Sequence, residues 1–308
     1  MEFFHRQTNI DFMGIRKITG VVSILVSIIS IVLLIYKGLN FGLDFTGGTQ
    51  LELRYGQPVH FEEVREHLEN AGFHGAKVTQ FGTTRDILVK IPNKEGVSEH
   101  KLGVEILAAL KTQNNTVELR QVEFVGSEVG EHLAEQGGLA VLAALFATLL
   151  YIAMRFEYRL GVSATVALLH DPILILGIFS LFQIEFDLAT LAGVLAVIGY
   201  SLNDTIVVFD RVRENFRKVR KGTSLEIMNS SINQTLSRTI MTSSLTLIVV
   251  VALYFFGGES LHGFSLALII GIVVGTYSSI FIAGALALMM GLSRSDLASS
   301  KKIIDEMP

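Results

Sequence analysis

Two carboxylates, Asp171 and Asp204, stand inside stretches otherwise suited to hydrocarbon. A charged side chain at the centre of a bilayer costs about 2.5–3.5 kcal/mol on the insertion scale, so each needs a reason to be there. Asp171 belongs to His170-Asp171-Pro172, near the middle of one apolar block. Asp204 belongs to Gly199-Tyr200-Ser201-Leu202-Asn203-Asp204-Thr205, where Ser201, Asn203 and Thr205 give an unusual polar density for a membrane helix. Burial disfavours a charged carboxylate and a nearby cation favours it. Where the two effects nearly cancel, the group exchanges its proton near neutrality, as a proton carrier must. Arg238, at the mouth of a later apolar block, is the obvious cation. Plainer readings stand beside these: Asp204 as a hydrogen-bonding residue between helices, and Arg238 as an ordinary flanking charge. Asp171 could simply belong to polar groups that serve the backbone carbonyl freed by Pro172.

These residues need helices to position them. Half of the 308 residues are hydrophobic, and the mean hydropathy is +0.51. The excess falls in blocks long enough to cross ~30 Å of hydrocarbon, which takes about 20 helical residues. The blocks are Ile18–Tyr36, Gly138–Met154, Gly161–Phe182, Leu188–Phe209, Ile240–Phe256 and Gly263–Met290. Runs this long without period-2 alternation predict helices, because only helices and closed barrels satisfy every backbone group in lipid. The first block is too long for a signal-peptide core and lacks a small-residue cleavage site, so it reads as a retained anchor.

Orientation is expected from the basic residues. Arg6, Arg16 and Lys17 precede span one, and Arg155 and Arg159 separate spans two and three. Arg211, Arg213, Arg217, Lys218, Arg220, Lys221 and Arg238 lie between spans four and five, and Arg294, Lys301 and Lys302 follow span six. The short connections Gln183–Asp187 and Gly257–His262 contain no Lys or Arg. Both termini are therefore expected in the cytoplasm. Expected divisions are residues 1–37 (N-terminus and span one), 38–137 (an exterior domain), 138–292 (spans two to six) and 293–308 (a cytoplasmic tail). A basic cytoplasmic segment covers 210–239.

The exterior segment is acidic, with nine Lys and Arg against fifteen Asp and Glu. It reads strand Gln50–Tyr55, helix Phe61–Asn70, strands Ala76–Phe81 and Ile87–Ile91 flanking a turn at Gly82–Arg85, a helix over Glu99–Lys111 capped by Ser98, and strand Thr116–Val125. That order predicts a split βαβ, ferredoxin-like arrangement. The expected fold class is thus a polytopic α-helical membrane protein of six transmembrane helices plus one exterior α+β domain. Val212–Thr239, basic on one side with Leu225, Ile227, Met228, Ile232 and Leu236 on the other, predicts an amphipathic helix near the headgroups. Gly271 and Gly275 form a small-xxx-small pair that predicts close helix packing in span six. Asp210-Arg211-Val212-Arg213-Glu214 reads as a solvated face.

Several chemistries find no support. The absence of Cys excludes disulfides, thiolate metal sites and Cys nucleophiles. No Walker sequence occurs, since Lys221-Gly222-Thr223 has the residues of a P-loop end in the wrong order, and there is no HExxH or GxSxG. An enzyme with its own ATPase, a metal site, a cofactor and a nucleic-acid partner are therefore not expected.

Several sequence blocks together resemble the SecD/SecF family of bacterial protein-export membrane proteins. They are Phe41-Gly42-Leu43-Asp44-Phe45-Thr46-Gly47-Gly48, Val125-Gly126 with Gly130, His170-Asp171, Ile198 through Arg211, Gln234-Thr235-Leu236-Ser237-Arg238-Thr239 and Phe256-Gly257-Gly258. The resemblance covers nearly the whole chain and is of the shorter, SecD-partnering type. It implies half of a transporter of resistance-nodulation-division architecture in the bacterial inner membrane, with SecD supplying the other spans. Implied partners are the SecYEG channel, YajC and YidC, a translocating preprotein and membrane lipid. The proton gradient is the implied energy source. By motif position Asp204 and Arg238 belong to a proton relay facing an Asp of SecD, and Asn203 takes the position where SecD carries that Asp. Asp171 is a further candidate, and Gly42, Gly47 and Gly48 are candidate hinges. Three alternatives remain: a non-transporting scaffold for SecD and the channel, a small-molecule exporter, and an intramembrane hydrolase using Asp171 and Asp204 as a pair.

Overall fold

The computed structural model describes residues 8–80, 83–92, 99–111, 116–219 and 221–298. The chain divides into two compact units, one of residues 1–40 with 140–308 and one of residues 41–139.

Among the described residues six helices are long and apolar enough to cross a membrane: Arg16–Tyr36, Ser127–Arg155, Tyr158–Phe182, Leu188–Lys218, Ser224–Phe256 and His262–Met289. They are spans one to six; span two begins in the second unit and ends in the first. Half of the most apolar stretch of spans three and four is buried, and 44% of that of span six, against 11% in spans one and two and 17% in span five. Spans three, four and six therefore form the centre, and the other three turn most of their apolar surface outward.

The expected amphipathic surface helix over Val212–Thr239 is not found. Span four runs on to Lys218, and span five starts at Ser224 and continues unbroken to Phe256. The start is a capping box: the Glu226 N–H donates to Thr223 Oγ1 (3.2 Å) and the Thr223 N–H to Glu226 Oε2 (2.9 Å). The apolar side of this segment faces protein rather than headgroups. Ile227, Met228, Ile232 and Leu236 are buried in one cluster with Phe12, Met13, Phe209, Val212 and Phe216. Asn215 fastens the two helices by donating to Ser231 Oγ (2.8 Å) and Gln234 Oε1 (3.1 Å).

The glycine pair in span six does serve close approach. A Cβ on Gly271 would collide with the Val197 side chain of span four, and one on Gly275 would stand 3.0 Å from Ser201 Cβ. Beyond Tyr277 span six changes to a π-helical turn, Ser278–Ala283, before resuming as Gly284–Met289. The run Asp210–Glu214 is more than a solvated face. Arg155 of span two pairs with Asp210 (2.7 Å), and Arg213 with Glu157 (3.1 Å).

In the second unit a four-stranded antiparallel sheet has the order Lys77–Gln80, Asp86–Ile91, Gly48–Tyr55, Val117–Val125. With helices Phe61–Asn70 and Glu99–Lys111 in the connections, this is the ferredoxin-like arrangement. Alternation in Gly48–Tyr55 sends Leu51, Leu53 and Tyr55 into a core with Val64 and Leu68 of the first helix and Ile106 and Leu110 of the second. The expected cap Ser98 and part of the turn at Gly82–Arg85 lie outside the described residues. Arg54 grips Asp86 with two bonds (2.7 and 3.1 Å), and Thr83 adds a third (2.6 Å). This holds the Asp86 carboxyl down at about 2.

Candidate functional site

Spans three to six place two small polar networks within apolar surroundings. The first surrounds Asp204, which span four buries to 2% exposure. Its Oδ2 accepts from Ser243 Oγ of span five at 3.4 Å, a long bond. Ser243 in turn accepts from Tyr200 OH (3.1 Å) and bonds with Thr276 Oγ1 of span six (2.8 Å). Asn203, next to Asp204, is exposed, as is Arg238 in span five. Among the described residues Arg238 makes no ion pair.

The second network surrounds Asp171, which is fully buried in span three. Its Oδ2 accepts from Ser201 Oγ of span four and from Ser278 Oγ of span six (2.8 Å). Its Oδ1 lies 2.9 Å from His170 Nδ1. Span three continues as a helix through Pro172. Asp171 thus ties together the three central spans through its own side chain, whatever the proline leaves unpaired.

Sequence reasoning singled out Asp171, Asp204 and the polar residues beside Asp204. It did not find Ser243, Thr276 and Ser278, whose signal was only a hydroxyl in an apolar run, nor the part His170 plays. Asp171 and Asp204 fall in separate networks, three residues apart where Ser201 and Asp204 share span four. The glycines lie in the other unit. Gly47 and Gly48 have φ of 65° and 138°, whereas Gly42 is ordinary extended backbone. A Cβ on Gly48 would come 2.6 Å from Ile91 O, and one on Gly130 would come 2.9 Å from Gly47 N, so the run is glycine-rich for turning and for contact. Among the described residues no group of three His, Asp or Glu is placed to hold a metal ion.

Six apolar helices, a ferredoxin-like insert and carboxylates bonded from span to span define a polytopic helical membrane protein with an intramembrane acidic site. Comparison with known proteins narrows this. The family described as "Protein export membrane protein SecD/SecF, C-terminal" matches residues 105–293, and the "SecD/SecF GG Motif" matches 32–59. The chain belongs to the SecD/SecF family. It is 49% identical to the protein translocase subunit SecF of Vibrio alginolyticus over 98% of both chains. It is 45% identical to that of Escherichia coli O157:H7 over 96% of this chain and 93% of the other. The crystal structure of SecDF, a translocon-associated membrane protein from Thermus thermophilus, superposes with a TM-score of 0.84 at 39% identity. That match covers 94% of this chain and 39% of the SecDF chain. SecDF in its super-membrane-facing form gives 0.68 at 36% identity, over 98% of this chain and 41% of the other.

Proposed function

We propose that this chain is the SecF-type half of a SecD–SecF assembly that draws on the proton-motive force to promote protein export through the Sec channel. The supporting observation is the arrangement at spans four and five. Among the described residues Asp204 is enclosed with one long hydroxyl bond, while Asn203 beside it and the cationic Arg238 are exposed. A carboxylate so sparsely bonded gains or loses a proton with little local rearrangement, and a partner helix carrying an acid would complete the site against Arg238. The outward apolar surfaces of spans one, two and five offer further area for SecD or lipid.

In this reading both termini lie in the cytoplasm of a bacterial inner membrane and the ferredoxin-like unit lies outside. SecD is the direct partner, with the SecYEG channel, YajC, YidC and the preprotein as wider company. Proton binding at Asp204 cancels its attraction to Arg238 and lets spans four and five shift, with Gly47 and Gly48 as hinges for the outer unit. The chain carries no ATPase of its own. The scaffold reading draws on one fact, that among the described residues Arg238 and Asp204 form no ion pair. Preprotein translocation into vesicles carrying this chain with SecD separates the two. Wild type should respond to an imposed proton gradient and Asp204→Asn should not, at equal expression and assembly. Equal responses would leave the scaffold.

A further inference from the structure

His170 is buried to 7% exposure in span three, and its Nδ1 meets Asp171 Oδ1 at 2.9 Å. Asp171 also receives the hydroxyls of Ser201 and Ser278, so three donors converge on one carboxylate. An ionised carboxylate only accepts, so Nδ1 carries the hydrogen and Nε2 keeps a lone pair. That Nε2 is buried and has no hydrogen-bond partner among the described residues. A donor to Asp171 could be supplied by an amide or a hydroxyl; the imidazole adds a base on its far side.

We infer that His170 Nε2 is a second proton-binding atom of the membrane unit, separate from Asp204, and that Asp171 is its positioning residue. Proton uptake forms one N–H bond at Nε2 and breaks none within the protein. The imidazolium then neutralises the Asp171 carboxylate, so the pair passes from one negative charge to none. Release reverses the step at the same atom.

Spans one, four and six pack against span three. The ionisable side chains they carry within the apolar core are Tyr200 and Asp204 on span four and Tyr277 on span six. Tyr200 and Asp204 bond to Ser243, and Tyr277 bonds to Ser23 (2.9 Å) and to the Thr19 carbonyl (3.1 Å). At the ends of these spans stand Arg16, Lys17, Tyr36, Asp210, Arg211, Arg213, Glu214, Arg217, Lys218 and His262. None of these is bonded to His170 or Asp171 among the described residues. The two proton sites nevertheless share helices. Ser201 lies one turn before Asp204, and Ser278 lies two residues after Thr276 and opens the π turn of span six. Charge on the His170–Asp171 pair therefore alters the hydroxyl bonds that hold the same helices on which the Asp204 network is built. π turns of this kind recur at functional positions, and this one opens at the serine that bonds Asp171.

The role in export rests on the proton-driven reading above; the proton binding does not. The test is ¹⁵N-histidine NMR of the full chain in lipid nanodiscs, with the His170 signal assigned by its loss in His170→Asn. The expected result is an Nδ1–H tautomer that becomes doubly protonated, reversibly, as the pH is lowered. A ring that stays neutral throughout, or that carries its hydrogen on Nε2, overturns the proposal. In vesicles with SecD, His170→Asn keeps a donor toward Asp171 and should lose the pH response of gradient-stimulated export while retaining gradient-independent export. A variant that follows wild type at every pH overturns the role in coupling. If His170 titrates while Asp204→Asn leaves coupling intact, the export reading fails and the proton site stands. If Asp204→Asn uncouples and His170 does not titrate, the reverse holds.

Discussion

Ser201 donates its hydroxyl to Asp171 across the contact between spans four and three, three residues before Asp204 in its own helix. One face of span four therefore serves one carboxylate and a neighbouring position carries the other. Hydrogen bonds between membrane helices are modest, about 0.6 kcal/mol on average and up to ~1.7. Ser201→Ala and Ser278→Ala should each lower stability within that range. Asp171→Ala should cost more, about 2–4 kcal/mol, because it strands two hydroxyls and the His170 Nδ1–H together. Thermal unfolding of the purified variants in one detergent ranks them; equal losses would mean that Asp171 is not the hub.

The ferredoxin-like unit has an acid-sensitive latch. The Arg54 hydrogen bonds hold the Asp86 carboxyl at about 2, below its ordinary 3.8. A carboxyl depressed in the folded state stabilises above its unfolded value, and that stabilisation is lost as pH falls from about 4 through 2. With Arg54 40% exposed, screening leaves about 1–2 kcal/mol at stake. Hydrogen exchange at Asp86–Ile91 in the full chain should accelerate over that window, and Asp86→Asn should flatten the change.

Asn229 anchors the segment before span one. Its Oδ1 accepts from the Phe12 N–H (2.8 Å) and the Met13 N–H (3.3 Å), and Met13 is fully buried. Asn229→Ala leaves two backbone donors without their acceptor, at about 1–3 kcal/mol. Limited proteolysis before Arg16 should speed up in this variant and remain slow in Asn203→Ala, whose side chain is exposed.

Two helix glycines should answer alanine oppositely. A Cβ at Gly271 meets Val197, whereas one at Gly199 meets nothing within 4 Å. Gly271→Ala should lose about 1–3 kcal/mol through overpacking between spans four and six. Gly199→Ala should be neutral or gain up to ~1 kcal/mol of helix propensity. Melting temperatures in the same detergent check both.

The number and order of the spans, and the strand order of the insert, were legible in the chain. Hydrocarbon admits only long apolar helices, and Leu51, Leu53 and Tyr55 alternate as a half-buried strand must. The start of span five was less so. The apolar block begins at Ile240, but the helix begins at Ser224, where Thr223 and Glu226 form the capping box. Helices end where caps or chain geometry end them and need not stop at a lipid boundary. The apolar side of 224–239 was also misjudged, because hydrophobic periodicity looks the same whether it faces headgroups or Phe209 and Phe216.

Asp171 and Asp204 stand out in the linear chain because a carboxylate in an apolar run is conspicuous on composition alone. Their partners do not. Ser201 is 30 residues from Asp171 and Ser278 is 107 away, and serine is unremarkable in a membrane helix. The rotation of each helix and the close approach that Gly271 and Gly275 permit put those hydroxyls on Asp171 and, among the described residues, leave His170 Nε2 without one. Residue types are local and readable one by one, whereas hydrogen-bond partners depend on where several helices come to rest against each other.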